Sequence, residues 1–382
     1  MARLGDVCTI SSGNKQIFDD RIWLLNLDMV EQQTGNILSY HYVKEEELNG
    51  SIVQFDADNV LYSKLRPNLN KVVTPDRDGY ATSELLPLKP DKNILCREYL
   101  AAFLRSDSFV AWAVSKTVGA KMPRLGTRVL LDKEIPLPPL DEQRKIAEVL
   151  DKVSDLIDKR RQQLDKLDLL VKARFVEMFG DLRSNKHGWD FLALSQLCDV
   201  RDGTHDSPQY MSKGYPLLTS KNFTSGTIDF TDCNLISKED FDKINQRSNV
   251  DVGDIIMPMI GTIGNPVIVD TKRPFAIKNV ALIKFVNNQV SNVFIRHLLT
   301  SDYFKQITFT FSRGGTQKFV ALGDIRKLPI PLVPSQLQNQ FAAFVKQTEN
   351  TKTTISHSLE KLETLKKALM QEFFTKKGGL YD

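Results

Sequence analysis

The sequence predicts an α+β protein written twice: two similar globular domains separated by two long antiparallel, coiled-coil-like helices, with an internal pseudo-two-fold repeat. Three observations carry the prediction. The second half of the chain repeats the first at an almost constant offset, each half opens with short β-like runs broken by turn residues, and each half closes on a heptad pattern. The expected boundaries are 1–138 for the first globular domain, 139–180 for the first long helix, 181–333 for the second globular domain and 334–377 for the second helix.

The repeat is clearest in two punctuated runs, KEIPLPPLDEQRKIAEVL from Lys133 and RKLPIPLVPSQLQNQFAAFV from Arg326. Pro136 pairs with Pro331, Pro139 with Pro334, Gln143 with Gln338 and Ala147 with Ala342, each by 331 − 136 = 195. Upstream the offset joins Gly119 to Gly314 and LRSDSF to LTSDYF; downstream it joins Leu164 to Leu359, Leu167 to Leu362, Ala173 to Ala368 and Phe179 to Phe374. At the amino ends LGDVC from Leu4 matches LSQLC from Leu194 with the shorter offset 194 − 4 = 190.

Within the globular parts, SIVQF, NVLYSKL, VDVGDII, NPVIVD and VALIKFV read as short strands between Gly, Asn, Asp and Pro turns. EYLAAFLRSD and VFIRHLLTSD read as helices. The closing parts step by four and three. The first seam runs Ile146, Leu150, Val153, Ile157, Arg160, Leu164, Leu167, Val171, Arg174 and Met178. The second runs Phe341, Val345, Thr348, Lys352, Ile355, Leu359, Leu362, Lys366, Leu369 and Phe373. A helix of about 39 residues is roughly 58 Å long, too long to lie inside a globular domain. Connectivity makes an intramolecular pair antiparallel. The alternative is an intermolecular coiled coil; matched length and register of the two seams favour the internal pair.

Composition excludes little. With 51 Lys+Arg against 47 Asp+Glu, a nucleic-acid surface has to come from local clustering. Cys8, Cys96, Cys198 and Cys233 are scattered without a C-x-x-C pair, so neither zinc nor disulfides are expected. MARLGDVCTI lacks the charged and apolar regions of a signal sequence, and no stretch approaches 18 apolar residues, so a cytoplasmic location is expected. The phosphate-loop, dinucleotide-fold, H-E-x-x-H and G-x-S-x-G signatures are missing, as is the N/D-P-P-Y/F of amino-methyltransferases.

RDGTHDSPQY from Arg201 is the one stretch that invites a catalytic reading, pairing His205 with Asp202 or Asp206 and with Thr204 or Ser207. Near neighbours on one loop do not easily converge on one substrate atom. The matching stretch of the first half, SSGNKQIF from Ser11, has no histidine. A binding role is the better expectation, with two domains suited to two half-sites spaced by the helices.

The loops hold suitable donors. The first half offers Lys64, Arg66, Asn68, Asn70 and Lys71, then Lys116, Lys121, Arg124 and Arg128. The second offers Arg201, Thr204, His205, Lys221 and Asn222, then Arg313, Gln317 and Lys318. Arg and Lys suit guanine edges and phosphates, Asn and Gln suit adenine.

The chain resembles the specificity subunit of type I restriction–modification systems. The resemblance spans essentially the whole chain and rests on DGTHDSP followed by YPLLTSKNF, on SRGGTQKFVALGDIRKLPIPLVPSQLQNQFA, on PLPPLDEQRKIAEVLDKVSDLID and on the duplication. It implies two DNA target recognition domains and a chain without catalysis or cofactor of its own. It also implies two modification subunits that carry S-adenosylmethionine and methylate adenine, and restriction subunits that use ATP and Mg. The first half has GAKMPRL where the second has GGTQKF and lacks DGTH, so the loop motifs carry over only to the second. Arg160, Arg174, Lys352 and Lys366 are unusual in a seam and are expected to face helices of the modification subunits. The rival readings are a duplicated coiled-coil scaffold and an independent enzyme.

Overall fold

The structure is a computed structural model that describes the chain except residues 11–20, 49, 224–225, 260–264, 287–288, 312–319 and 376–382; at 309–311 and 375 the backbone alone is described. Two helices dominate, Leu140–Phe179 of 40 residues and Ser335–Thr375 of 41. By compactness the chain divides inside both of them, into Met1–Gln162 with Ser356–Asp382, and Gln163–Ile355. The division falls there because the two halves of each helix pack on different cores.

In the first unit an antiparallel sheet orders the strands Cys8–Ile10, Leu85–Pro90, Val60–Ser63 and Val72–Val73. A second sheet orders His41–Val43, Ile22–Leu25, Gly79–Thr82 and Ile52–Phe55, its central pair parallel. Val60–Ser63 is buried at every position, as its unbroken apolar run VLY requires. The helix Arg97–Arg105 buries Tyr99, Leu100, Phe103 and Leu104 against this sheet's core. Ser106 then caps the helix Asp107–Ser115, its Oγ accepting from the Phe109 amide.

The second unit repeats this frame. Ile255–Pro258 stands for Val60–Ser63, Val267–Ile268 for Val72–Val73 and Asn292–Thr300 for Arg97–Arg105, each displaced by 255 − 60 = 195. Its four-stranded sheet orders Asp199–Asp202, Val280–Lys284, Ile255–Pro258 and Val267–Ile268. VDVGDII therefore becomes a strand only from Ile255, its first residues forming a turn. One layer differs. Where the first unit adds Ile52–Phe55 to its second sheet, the second unit lays the helix Lys238–Ser248 on that sheet. Ser237 caps this helix, and Phe241 stacks on Tyr215 with ring centroids 4.3 Å apart. This helix is absent from the elements that the sequence predicts.

The helix starts are pinned identically. Gln143 is fully buried; its Nε2 donates to the Ile94 and Pro138 carbonyls at 2.9 and 2.8 Å, and its Oε1 accepts from the Cys96 amide at 2.9 Å. Gln338 does the same with Gln289, Val333 and Ser291 at 3.1, 2.8 and 2.7 Å, every partner displaced by 338 − 143 = 195.

In each unit the two helices run antiparallel. In the first, Ile146 and Leu150 share a core with Leu369 and Phe374, while Arg161 meets Glu363 at 2.8 Å. In the second, Phe175 and Phe179 pack on Phe341, while Lys352 meets Asp168 at 2.9 Å. Ile146, Leu150, Val153, Ile157, Val171, Phe341 and Val345 are buried; Leu164, Leu167, Ile355, Leu359, Leu362 and Leu369 are half-buried.

The strict heptad fails at the helix ends. Beyond Val171 the buried positions are Phe175 and Phe179 rather than Arg174 and Met178, and Phe374 replaces Phe373. A straight helix of 3.6 residues per turn drifts off a 3.5 repeat, so the buried stripe slips by one residue. Two charged seam residues also find partners within the chain. Lys352 pairs with Asp168, and Arg174 pairs with Glu177 at 2.8 Å while lying over the Phe344 ring. Arg160 and Lys366 are half-buried, and burial holds the Lys366 amine below its usual pKa. Among the described residues no helix is long and apolar enough to cross a membrane.

Candidate nucleic-acid interface

In the first unit the turn after Val60–Ser63 is stitched to the loop before the short helix Thr127–Leu131. The Lys64 amide donates to the Glu84 carbonyl at 3.0 Å, the Leu125 amide to the Lys64 carbonyl at 2.9 Å, and the Arg66 amide to the Pro123 carbonyl at 2.8 Å. Arg66 adopts a left-handed φ of 50° and is exposed. Arg124 lies beside it through these strand-like bridges and binds the Glu84 carboxylate at 3.0 Å. Lys64 and Arg66 thus share one surface with Arg124, which is distant in sequence, and with exposed Lys121 on the same loop as Arg124.

Two other candidates of the first unit, Asn70 and Lys71, are tied into the fold. Asn70 is buried, with φ 49°, and its Nδ2 donates to the Arg105 carbonyl at 3.0 Å. Lys71 donates to the Leu27 carbonyl at 2.5 Å, and burial lowers its pKa. Asn68 is exposed, its carbonyl accepting from Gln33. Lys116 and Arg128 are exposed as well.

In the second unit RDGTHDSP closes on the junction Lys278–Asn279. The Gly203 amide donates to Val280, the Thr204 amide to Ile277, and the Asn279 amide to Thr204, at 3.0, 3.0 and 3.1 Å. Glycine is required at 203, because a Cβ there would stand 2.5 Å from the Ile277 carbonyl oxygen. The Thr204 hydroxyl accepts from the Asp206 amide, closing the turn at 3.1 Å.

His205 is held from both sides. Its Nε2 meets the Asp202 carboxylate at 2.9 Å and its Nδ1 the Asn279 Oδ1 at 2.8 Å. With both nitrogens facing acceptors the imidazolium is favoured, and the Asn279 and Asp202 bonds raise its pKa. No nitrogen is left to take a proton from Thr204 or Ser207, so the ring braces the loop. Asp202, itself buried, also binds Arg247 through its other oxygen. An open cleft of about 530 Å³ separates Thr204, His205 and Ser207 from Lys243 and Arg247 of the helix Lys238–Ser248.

Three candidates of the second unit are committed to the fold. Arg201 is bound to Asp199 at 2.6 Å and to the Arg247 carbonyl at 3.1 Å. Asn222 is 2% exposed; its Oδ1 accepts from the Thr219 amide and its Nδ2 donates to the Asp229 and Asp232 carbonyls. Lys221 is exposed but paired with Asp232 at 3.0 Å. Short polar side chains in loops satisfy backbone groups as readily as they read bases, which the sequence pattern does not separate. Arg313, Gln317 and Lys318, like SSGNKQIF, lie outside the described residues. Lys243, Arg247, Lys278 and Asn279 were not singled out from the sequence; only the fold brings them to the loop.

The profile of the Type I restriction modification DNA specificity domain matches residues 1–168 and again residues 186–366. The chain belongs to this family. It carries two specificity domains, and each match takes in a globular part together with most of its long helix. Among similar proteins, the Type I restriction enzyme MjaVIII specificity subunit of Methanocaldococcus jannaschii is 23% identical over 321 residues, 79% of this chain and 75% of that one. The Type I restriction enzyme EcoBI specificity subunit of Escherichia coli is 22% identical over 293 residues, 68% and 61% of the two chains. A chain from a structural study of complex assembly and conformational transition of the type I R-M system aligns with a TM-score of 0.64 at 18% identity, covering 97% of this chain and 96% of the other. The S subunit of a type I system from M. genitalium aligns at 0.59 and 13% identity, with 99% and 96% covered. These structures share the fold. The chain is a type I restriction–modification specificity subunit with DNA target recognition domains.

Proposed function

We propose that this subunit reads a bipartite duplex target without catalysis of its own, one recognition domain to each half-site. The spacing between half-sites follows from the length of the long helices. Two modification subunits, adenine methyltransferases that carry S-adenosylmethionine, dock on it, and restriction subunits using ATP and Mg complete the enzyme in the prokaryotic cytoplasm.

The observation that carries this reading is one frame bearing two different donor sets. The offset of 195 holds through strands, helices and the buried glutamines. At the junction loops it delivers Arg124 on Glu84 in one unit and His205 on Asn279 in the other. Equivalent scaffolds with unlike donors suit unlike half-sites. The independent-enzyme reading loses its best candidate base, since both nitrogens of His205 are taken.

The test is a base-resolution methylation map of DNA from cells expressing the chain with its modification subunits. A bipartite methyladenine motif that vanishes without this chain supports the reading. No motif, with competent modification subunits, turns it toward the scaffold.

A further inference from the structure

Lys278 stands where the chain of the second unit leaves the strand Ala276–Ile277 and enters Val280–Lys284 of the other sheet. The residue is only 9% exposed. Its Nζ donates to the Ser207 hydroxyl at 2.5 Å, and among the described residues it forms no salt bridge. Burying an ammonium without a counter-charge is costly. Other inward-turned lysines of this unit are neutralised: Lys284 by Asp251 and Asp254, Lys352 by Asp168. Of the carboxylates near the turn, Asp202 has one oxygen on His205 and the other on Arg247, and Asp206, next to Ser207, forms no salt bridge with Lys278 among the described residues. Lys278 therefore keeps donors for an acceptor from outside the fold.

The repeat says where that acceptor comes from. Lys278 and Asn279 correspond to Ser83 and Glu84, by 278 − 83 = 195. In the first unit this junction borders the loops of Lys64, Arg66 and Arg124. In the second it borders the THDS turn, next to the cleft lined by Lys243 and Arg247 together with Asp206 and Asp240.

We propose that Lys278 is a DNA-contacting residue of the second recognition domain, its ammonium steadied by Ser207 and donating to an acceptor atom of the duplex. This rests on the DNA-reading function proposed above. The acceptor is a phosphate oxygen or a base-edge atom such as guanine O6 or N7, the groups a lysine recognises.

The experiment uses the full chain in complex with its modification subunits, duplexes carrying the methylated motif, and anisotropy titrations over a range of salt. K278Q keeps a donor for Ser207 and removes the charge, S207A removes the tie and keeps the charge, and K278R retains a cation. The expected result is that K278Q weakens binding about tenfold or more, while S207A and K278R lose much less. A phosphate contact lowers the salt slope by about one with every base preference kept; a base contact relaxes one position of a single half-site. In the wild-type complex, formaldehyde crosslinks the Lys278 peptide to the cognate duplex, a readout that needs no variant.

A folded K278Q with wild-type affinity, slope and motif overturns the assignment. So do equal losses in K278Q and S207A, which mean that the lysine only ties the loop, and so does failure of the crosslink in a bound complex. A wild-type complex without sequence-selective, salt-dependent binding fails at the earlier step, the DNA-reading function itself.

Discussion

Replacing Gln143 by leucine puts an apolar side chain of similar volume into a fully buried site and removes three hydrogen bonds. The Cys96 amide loses its acceptor, and the Ile94 and Pro138 carbonyls lose a donor. A buried hydrogen bond contributes about 1 kcal/mol net, and an orphaned buried amide adds about 1–3 kcal/mol of unrecovered desolvation. The expected destabilisation is about 4–6 kcal/mol, a drop in melting temperature of roughly 15 °C for a unit of this size. Gln338→Leu meets the same three partners on the repeated frame and is expected to cost about the same. Thermal and urea unfolding followed by circular dichroism measures both. A loss below about 1 kcal/mol at either position would refute the claim that these glutamines hold the helix starts to their domains.

Other consequences follow from the loops and the helix pair. Gly203→Ala drives a Cβ into the Ile277 carbonyl and is expected to cost about 1–3 kcal/mol in unfolding experiments, with an unchanged melting curve as the contrary result. Asn222→Ala lowers stability without changing which sequence is bound, because its amide holds the Thr219–Asp232 turn; a changed methylation motif would contradict this. Arg66→Ala weakens duplex binding by about 1–3 kcal/mol if its exposed guanidinium reaches a base, and unchanged affinity removes it from the interface. The folded-state pKa of His205 is raised, so its stabilising contribution is complete below its unfolded value and fades as pH rises through the folded one. The stability gap between wild type and His205→Gln should therefore shrink from pH 6 to pH 9, by a small amount because the ring is largely exposed.

Much of this protein was legible in the sequence because repetition and period are local properties of a chain. The offset of 195, the paired prolines and glutamines and the stepping by four and three announced two domains and two long helices. Period told less about the helix ends, where the drift of a straight helix moved burial onto Phe175, Phe179 and Phe374. Which candidates stay exposed was half legible. Arg66, Lys121 and His205 were named from loop chemistry and lie exposed, whereas Asn70, Lys71, Arg201 and Asn222 bear the same chemistry and are spent on their own backbone or neighbours.

What the sequence determined by itself is the architecture and, through its motifs, the family. Only the tertiary structure decided which polar groups remain for a ligand. It turned His205 into a brace between Asp202 and Asn279, drew Arg247 from an unforeseen helix to the same carboxylate, and left Lys278 buried beside Ser207. Hydrogen bonds and ion pairs form between residues distant in the chain, and desolvation depends on everything packed around a group, so neither has a period to read.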